Sequence, residues 1–275
     1  MLTKQCLCAK ITTLNKDGGY IIILTIDIGN SNIIFGGFIE NELKFVARMA
    51  TDTTRTSDEY ASNILSILAL HNVHKKEIKG AIISSVVPPL NRVIKKAVRL
   101  IYGVEALLVG PGIKTGIGIQ CDNPASVGAD LICACVATST LYSAPALIVD
   151  IGTATKMMVV NEKSAFIGVS IIPGVMMGLN ALSERTAQLP KIDLSAPGTV
   201  IGKNTIDCMK SGVVFGNASL VDGMIDRINE EFGKELPVIV TGGLASTIIP
   251  HCKHEMVLDK HLVLKGLNIL YNKNN

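Results

Sequence analysis

Tryptophan is absent from this chain, and aromatic residues of all kinds make up only 4% of it. Proteins that hold single-stranded nucleic acid rely on aromatic faces for the bases to stack on, so no such surface is expected. The net charge is +3, and the lysines and arginines are spread along the chain without a basic cluster. Nucleic acid is therefore not an expected partner. No apolar run approaches the roughly 18 residues of a membrane span, so no membrane partner is expected either. The first twenty residues carry lysines but neither a continuous apolar stretch nor a clear cleavage site. They read as a flexible leader over residues 1–20 rather than a secretory signal. The seven cysteines include two C-x-C pairs, Cys6/Cys8 and Cys133/Cys135, but no C-x-x-C knuckle of the zinc type. Neutral thiols in a reducing, cytoplasmic compartment follow. Histidines three apart in "HNVH" (71–74) and "HCKH" (251–254) lack a carboxylate at zinc-protease spacing and read as surface residues.

What is present is apolar material: 48% of the residues against 18% charged, enough to bury a substantial core. Short runs rich in branched residues predict strands over 21–26, 32–39 and 43–49, an antiparallel meander. Thr56 followed by Glu59 signals a capping box, and Ile64, Leu65, Ile67, Leu68 and Leu70 supply the stripe of a helix behind it. "GAIISSVV" reads as a strand stopped by Pro88 and Pro89, "LNRVIKKAVRLIYG" as a helix ended by Gly103, and "EALLVG" as a further strand. Residues 111–128, punctuated by glycine and proline, read as loop, and "ADLICACVATSTLY" as an apolar helix. The strand pattern then restarts at "ALIVDIGTATKMMVV". "GVMMGLNALSERTA" is helical, residues 203–233 read as one helix or two, "PVIVTGG" as a strand and "HLVLKGLNILYN" as a closing helix. Two similar α/β halves follow, over 21–140 and 141–275.

Each half opens on the same turn. "IIILTIDIGN" ends an apolar strand on Asp27 and Gly29, and "ALIVDIGTAT" ends another on Asp150 and Gly152. Because each turn leads into a second strand, it is a hairpin and not a Walker loop or a dinucleotide fingerprint, both of which lead into helices. A glycine at that point lets backbone amides approach a phosphate. A carboxylate beside it makes sense with a divalent cation between the two anions. A merely structural hairpin is the alternative; the repetition favours phosphate.

The paired turns are similar to the phosphate loops of the actin/hexokinase/acetate-kinase superfamily. From residue 21 onward the chain resembles one branch, the type III pantothenate kinases. The resemblance is carried, in order, by "DIGNSN" (27–32), "TDTTRTSDEYA" (51–61), "SVGAD" (126–130), "DIGTAT" (150–155), "PGVMMGLNALSERTAQLP" (173–190), "IGKNT" (201–205) with "SGVVFG" (211–216), and "TGGLA" (241–245). It implies an α/β fold of two actin-like, ribonuclease-H-like halves, each a mixed sheet with helices on both faces, and an active cleft between them. It implies ATP-dependent phosphorylation of pantothenate, the first step toward coenzyme A, by a homodimer with a shared substrate site. On that resemblance Asp27, Ile28, Gly29, Asn30, Ser31, Asn32, Ile33 and Ile34 would bind the ATP phosphates, with Asp27 meeting Mg²⁺ through water. Thr153 would touch ATP, and "TGGLA" would lie near the base. Asp130 would take the proton from the pantothenate hydroxyl, a role compatible with its being only the N-cap of a helix over 131–142. Asp150 would hold a monovalent cation, K⁺ or NH₄⁺. Cys121, Gly128, Ala129, Leu131 and Thr186 stand at positions of the substrate pocket, Thr186 reaching across the dimer.

Three positions depart from that family's pattern. Leu131 replaces the arginine of G-A-D-R, Cys121 replaces a tyrosine, and Lys156 follows Thr155 where a second threonine and then an aspartate are usual. Ser31 for threonine is a milder change. A lost arginine contact to a carboxylate costs on the order of 1.5–3 kcal/mol, for which Lys156 is one residue that could compensate. A pantothenate kinase, a kinase for another small hydroxyl compound and a silenced paralogue that binds nucleotide or ligand all remain open on the sequence.

Overall fold

The computed structural model describes residues 20–275; apart from Tyr20, the leader expected over 1–20 lies outside the described residues. The chain divides into two compact units, the first ending at Val109 and the second running from Gly110 to Asn275. The restart of the strand pattern in the sequence places its boundary later, after residue 140.

In the first unit, β1 (Ile22–Ile28), β2 (Asn32–Ile39) and β3 (Glu42–Ala50) form the expected antiparallel meander. Helix α1 (Ser57–Ala69) leads to β4 (Ile78–Ser85), which lies parallel to β1, and α2 (Pro88–Tyr102) leads to the short β5 (Leu107–Leu108), parallel to β4. Parallel neighbours need such helical crossovers. The sheet order is β3-β2-β1-β4-β5. Leu24, Ile26 and Ile28 of β1 are fully buried and share a core with Ile64 and Leu68 of α1 and Leu90, Ile94 and Val98 of α2. The capping box forms: the Glu59 amide donates to Thr56 Oγ1 at 3.3 Å and the Thr56 amide to Glu59 Oε2 at 2.7 Å. Pro88 and Pro89 end the strand as expected, and they also open α2, because the first helical turn has no use for the missing N–H groups. Gly103 closes that helix at φ +71°.

The second unit contains β6 (Gly118–Ile119), α3 (Ala129–Leu141), β7 (Ala146–Ile151), β8 (Ala154–Val160), β9 (Ala165–Pro173), α4 (Val175–Arg185), α5 (Thr205–Phe232), β10 (Val238–Thr241), α6 (Ala245–Ile248), β11 (Val257–Leu258) and α7 (Leu262–Asn274). Its sheet runs β11-β10-β7-β8-β9-β6. Read from β9 to β11, it repeats the first sheet strand for strand: an antiparallel meander on one side of β7, then β10 and β11 parallel on the other. The two halves are thus actin-like in the same sense. Alternation along β7 serves two cores, because successive side chains point to opposite faces. Leu147, Val149 and Ile151 join Val214, Val221 and Ile225 of α5, whereas Ala146 and Ile148 join Leu131, Ala134 and Cys135 of α3. Residues 203–233 resolve into one long helix, capped by the Asn204 side chain accepting from the Asp207 amide at 2.9 Å and closed by Gly233 at φ +82°. The short β6 and β11 were not evident in the sequence: two-residue strands carry no periodicity.

Candidate functional site

The first repeated turn is built by β1 and β2. Ile28 pairs with Ile33, leaving Gly29, Asn30, Ser31 and Asn32 as the loop. The Gly29 amide donates to the Asn32 carbonyl at 3.0 Å. From beyond β3, the Thr51 hydroxyl donates to the Gly29 carbonyl at 2.7 Å and the Thr51 amide to the Ser31 carbonyl at 3.1 Å. The "TDTTRTSDEYA" stretch therefore begins by pinning this loop. A side chain at Gly29 would put its Cβ 3.1 Å from the Asn32 carbonyl. Asn30, Ser31 and Asn32 are exposed and Asp27 is half-buried, but Ile28 and Ile33 are fully buried and belong to the core. Of the span 27–34, the polar surface is thus limited to Asp27 and the loop, with Ile28 and Ile33 serving as its apolar anchors. Just downstream, Asp52 accepts from the Thr54 hydroxyl and amide and from Arg55 Nε, which hold its carboxyl below the ordinary range.

The second turn is one residue tighter. Ile151 pairs with Thr155, so three residues, Gly152, Thr153 and Ala154, separate them. The register that follows sets Lys156 directly opposite Asp150. Read along the chain, Lys156 has no acid near it; across the hairpin it has two. Its Nζ lies 2.7 Å from Asp150 Oδ2 and 2.7 Å from Asp130 Oδ2. All three side chains are mostly enclosed, at 15–18% exposed. Burial raises the Asp150 pKa, with the Lys156 ammonium pulling the other way. Burial likewise opposes the charge on Lys156, but the two carboxylates outweigh it and hold the ammonium above its ordinary range. Asp150, expected to hold a monovalent cation, already has a cationic partner from its own chain.

Asp130 reaches this point from the first turn of α3. Its place there corrects the N-cap expectation: Gly128 is the N-cap, and Asp130 sits two residues inside the helix, where a carboxylate is favoured by the unpaired amides and the helix dipole. A Cβ at Gly128 would fall 2.6 Å from Asp130 Oδ1, so the glycine leaves room for the carboxylate to fold back. "TGGLA" closes the other side. Gly242 has φ +102°, and a Cβ there would lie 2.6 Å from Asp150 Oδ1 and 2.5 Å from the Ile151 carbonyl. Gly174, the N-cap of α4, abuts the turn itself, its Cβ position being 2.0 Å from the Thr153 carbonyl.

The remaining substrate-pocket candidates are placed unevenly. Gly128 and Cys121 are half-buried, and Ala129 is buried. Leu131 is 7% exposed and belongs to the core between α3 and the sheet; its side chain packs where an arginine would need water or a counter-ion. Thr186 caps the C-terminal end of α4, exposed, its hydroxyl donating to the Leu182 carbonyl at 2.6 Å. Thr153 is exposed at the tip of the second turn. Reading along the chain missed the ion-paired role of Lys156. The signal for it was the hairpin register, since residues equidistant from a tight turn face each other across it.

Among the described residues, no three His, Cys, Asp or Glu side chains gather as a metal cluster, and no helix is long and apolar enough to cross a membrane. Solved structures share the fold, among them the following three. A Campylobacter jejuni protein described as a conserved Baf family transcriptional activator is 18% identical, with a TM-score of 0.58 over 91% of this chain and 98% of its own. A Sinorhizobium meliloti protein described as a 2-dehydro-3-deoxygalactonokinase is 14% identical, with a TM-score of 0.58 over 91% of this chain and 96% of its own. A Listeria monocytogenes protein described as an N-acetylmannosamine kinase is 11% identical, with a TM-score of 0.54 over 93% of this chain and 100% of its own. The family model for type III pantothenate kinase matches residues 23–227, from β1 into α5 and so through both repeated turns. This chain belongs to the type III pantothenate kinase family.

Proposed function

We propose that the protein transfers the γ-phosphoryl group of ATP to the terminal hydroxyl of pantothenate, giving 4′-phosphopantothenate in the cytoplasm. The observation that carries this reading is the Asp130 carboxylate, set in the first turn of α3 and held by Lys156 at 2.7 Å in a chain of this family. Phosphoryl transfer asks the protein mainly for positioning and charge neutralisation, with one carboxylate to receive the hydroxyl proton. Asp130 takes that role: as the pantothenate oxygen bonds to phosphorus and the bond to ADP breaks, the hydroxyl proton passes to its carboxylate. The exposed loop 29–32, with Gly29 free of a side chain that would crowd Asn32, is fitted to phosphate oxygens, and Thr153, exposed at the tip of the second turn, is suited to touch a nucleotide. Asp27 is suited to water-mediated contact with the Mg²⁺ that accompanies ATP and neutralises its phosphates. Exposed Met176, Met177 and Leu182 on α4 support a second copy of the chain packing there, beside Thr186.

The burial of Leu131 in place of an arginine favours a second reading, a kinase for a different small hydroxyl compound. A coupled ADP-release assay on purified protein tests both. Turnover with pantothenate that falls about 10²-fold or more in Asp130→Asn is the expected result. Folded protein that turns over only with another alcohol, or with none, overturns the pantothenate assignment.

A further inference from the structure

Two carboxylates from separate elements, Asp130 of α3 and Asp150 of β7, converge on one point. Two enclosed negative charges that close repel strongly and need a cation between them. The site could draw an ion from solvent, but the point is filled by Lys156 Nζ, at 2.7 Å from each carboxylate. We infer that the Lys156 ammonium is a built-in monovalent cation, occupying the place between Asp130 and Asp150 that a potassium or ammonium ion would otherwise take, so that this chain needs no added monovalent cation. The chemistry is matched: a lysine head is an ammonium ion on a tether, with three donors and no acceptor. Both contacts have the short length of charge-assisted hydrogen bonds.

The tether is delivered by the fold. Lys156 lies opposite Asp150 in the β7–β8 register, so the hairpin that positions the carboxylate also positions its counter-ion. A covalently attached ion faces its site at a high effective concentration and is not lost on dilution. The first turn shows the contrast: the residue opposite Asp27 is Ile34, which carries no charge. Lys156 is on this account a positioning residue, holding the two acids against each other's repulsion. Its catalytic consequence rests on the reading of Asp130 as the proton acceptor.

The test compares choline, sodium, potassium and ammonium chlorides at one ionic strength, on wild-type protein, Lys156→Ala, and Lys156→Ala combined with Asp150→Asn, reading thermal unfolding and ATP turnover with pantothenate. Wild type is expected to show the same melting temperature and a rate within about twofold in all four salts. Lys156→Ala opens the point between the carboxylates. It is expected to melt lower in choline, to regain about 2 °C or more selectively in ammonium or potassium, and to recover activity by roughly tenfold or more with the same ions. The double variant has one carboxylate fewer and is expected to lose that selectivity.

A wild type stabilised or activated by potassium or ammonium over choline overturns the inference, as does a folded Lys156→Ala indifferent to the ion. If that variant folds only in ammonium or potassium, the inference stands. If it folds in none of the salts, the wild-type comparison decides alone. Absence of pantothenate turnover in every salt would instead count against the proposed reaction, and the melting data would still decide the role of Lys156.

Discussion

Leu131 is the residue at which sequence and structure pull hardest against each other. By position it stands beside the proposed base; by packing it belongs with Ala134, Cys135, Ile148 and Met158 in the core. Installing the arginine usual at this position would thrust a guanidinium into that apolar layer. Leu131→Arg is therefore expected to cost roughly 3–5 kcal/mol of stability, seen as a lower urea midpoint, and not to raise pantothenate turnover. A variant as stable as wild type with higher turnover would mean that the side chain can swing out to the substrate. Gly242 is the opposite case, a residue whose importance lies in having no side chain. Its φ of +102° and its approach to the Asp150 carboxylate leave no room for a Cβ. Gly242→Ala is expected to lose stability by about 1–3 kcal/mol, and calorimetry would register an unchanged melting temperature if the loop could simply relax.

Among the elements, α3 matters most because it carries Asp130 into the site. It is buried over most of its circumference, and a helix apolar all round is made for a protein interior. Its partner is α7, and the close point of that contact is Gly266, where a Cβ would fall 2.0 Å from the Cys133 carbonyl. The neighbour there is backbone, which cannot rotate aside. Gly266→Ala is expected to push the two helices apart at a cost of about 1–3 kcal/mol, lowering the melting temperature by on the order of 2–4 °C for each kcal/mol lost. If turnover falls further than stability accounts for, α7 is also setting the position of Asp130. The strands tell a simpler story. Period and punctuation located the meander and the principal helices in both units, because each such element writes its own pattern in neighbouring residues.

For the molecule as a whole, acid stability is expected to depend on Asp259, whose amide donates to the Val240 carbonyl at 2.8 Å. Asp259, 6% exposed, accepts from Tyr142 Oη at 2.8 Å, from Lys265 Nζ at 2.7 Å and from the His261 amide at 3.1 Å. Burial alone would raise its pKa; these donors and the Lys265 charge more than offset that and hold it below the ordinary value of 3.8. Burial, joined by the same carboxylate, pushes Tyr142 up to about 12. A carboxyl depressed in the folded state contributes stability that is complete above its unfolded pKa, near 4, and is lost as pH falls through the folded value. Asp259→Asn is expected to cost about 1.5–3 kcal/mol at neutral pH and to flatten the decline of stability below pH ~4. Denaturant titrations at several pH values would reveal a parallel decline in both proteins if Asp259 were not involved.

Much of this protein was determined by its sequence alone: the order of the longer strands and principal helices, the capping box at Thr56, the glycine that ends α2, and the two apolar strands that each stop on an aspartate and a glycine. These are local statements, settled by residues a few positions apart. The tertiary structure decided what depends on register and on which face of an element a side chain occupies. It turned Leu131 inward, moved Asp130 from the cap into the first turn, and brought Gly242 and Gly174 against the second hairpin. It also set Lys156 between two aspartates, one opposite it across a turn and one 26 residues back along the chain. A shift of one residue in a strand reverses which face each side chain occupies, so contacts of that kind are specified only when the whole sheet has been assembled.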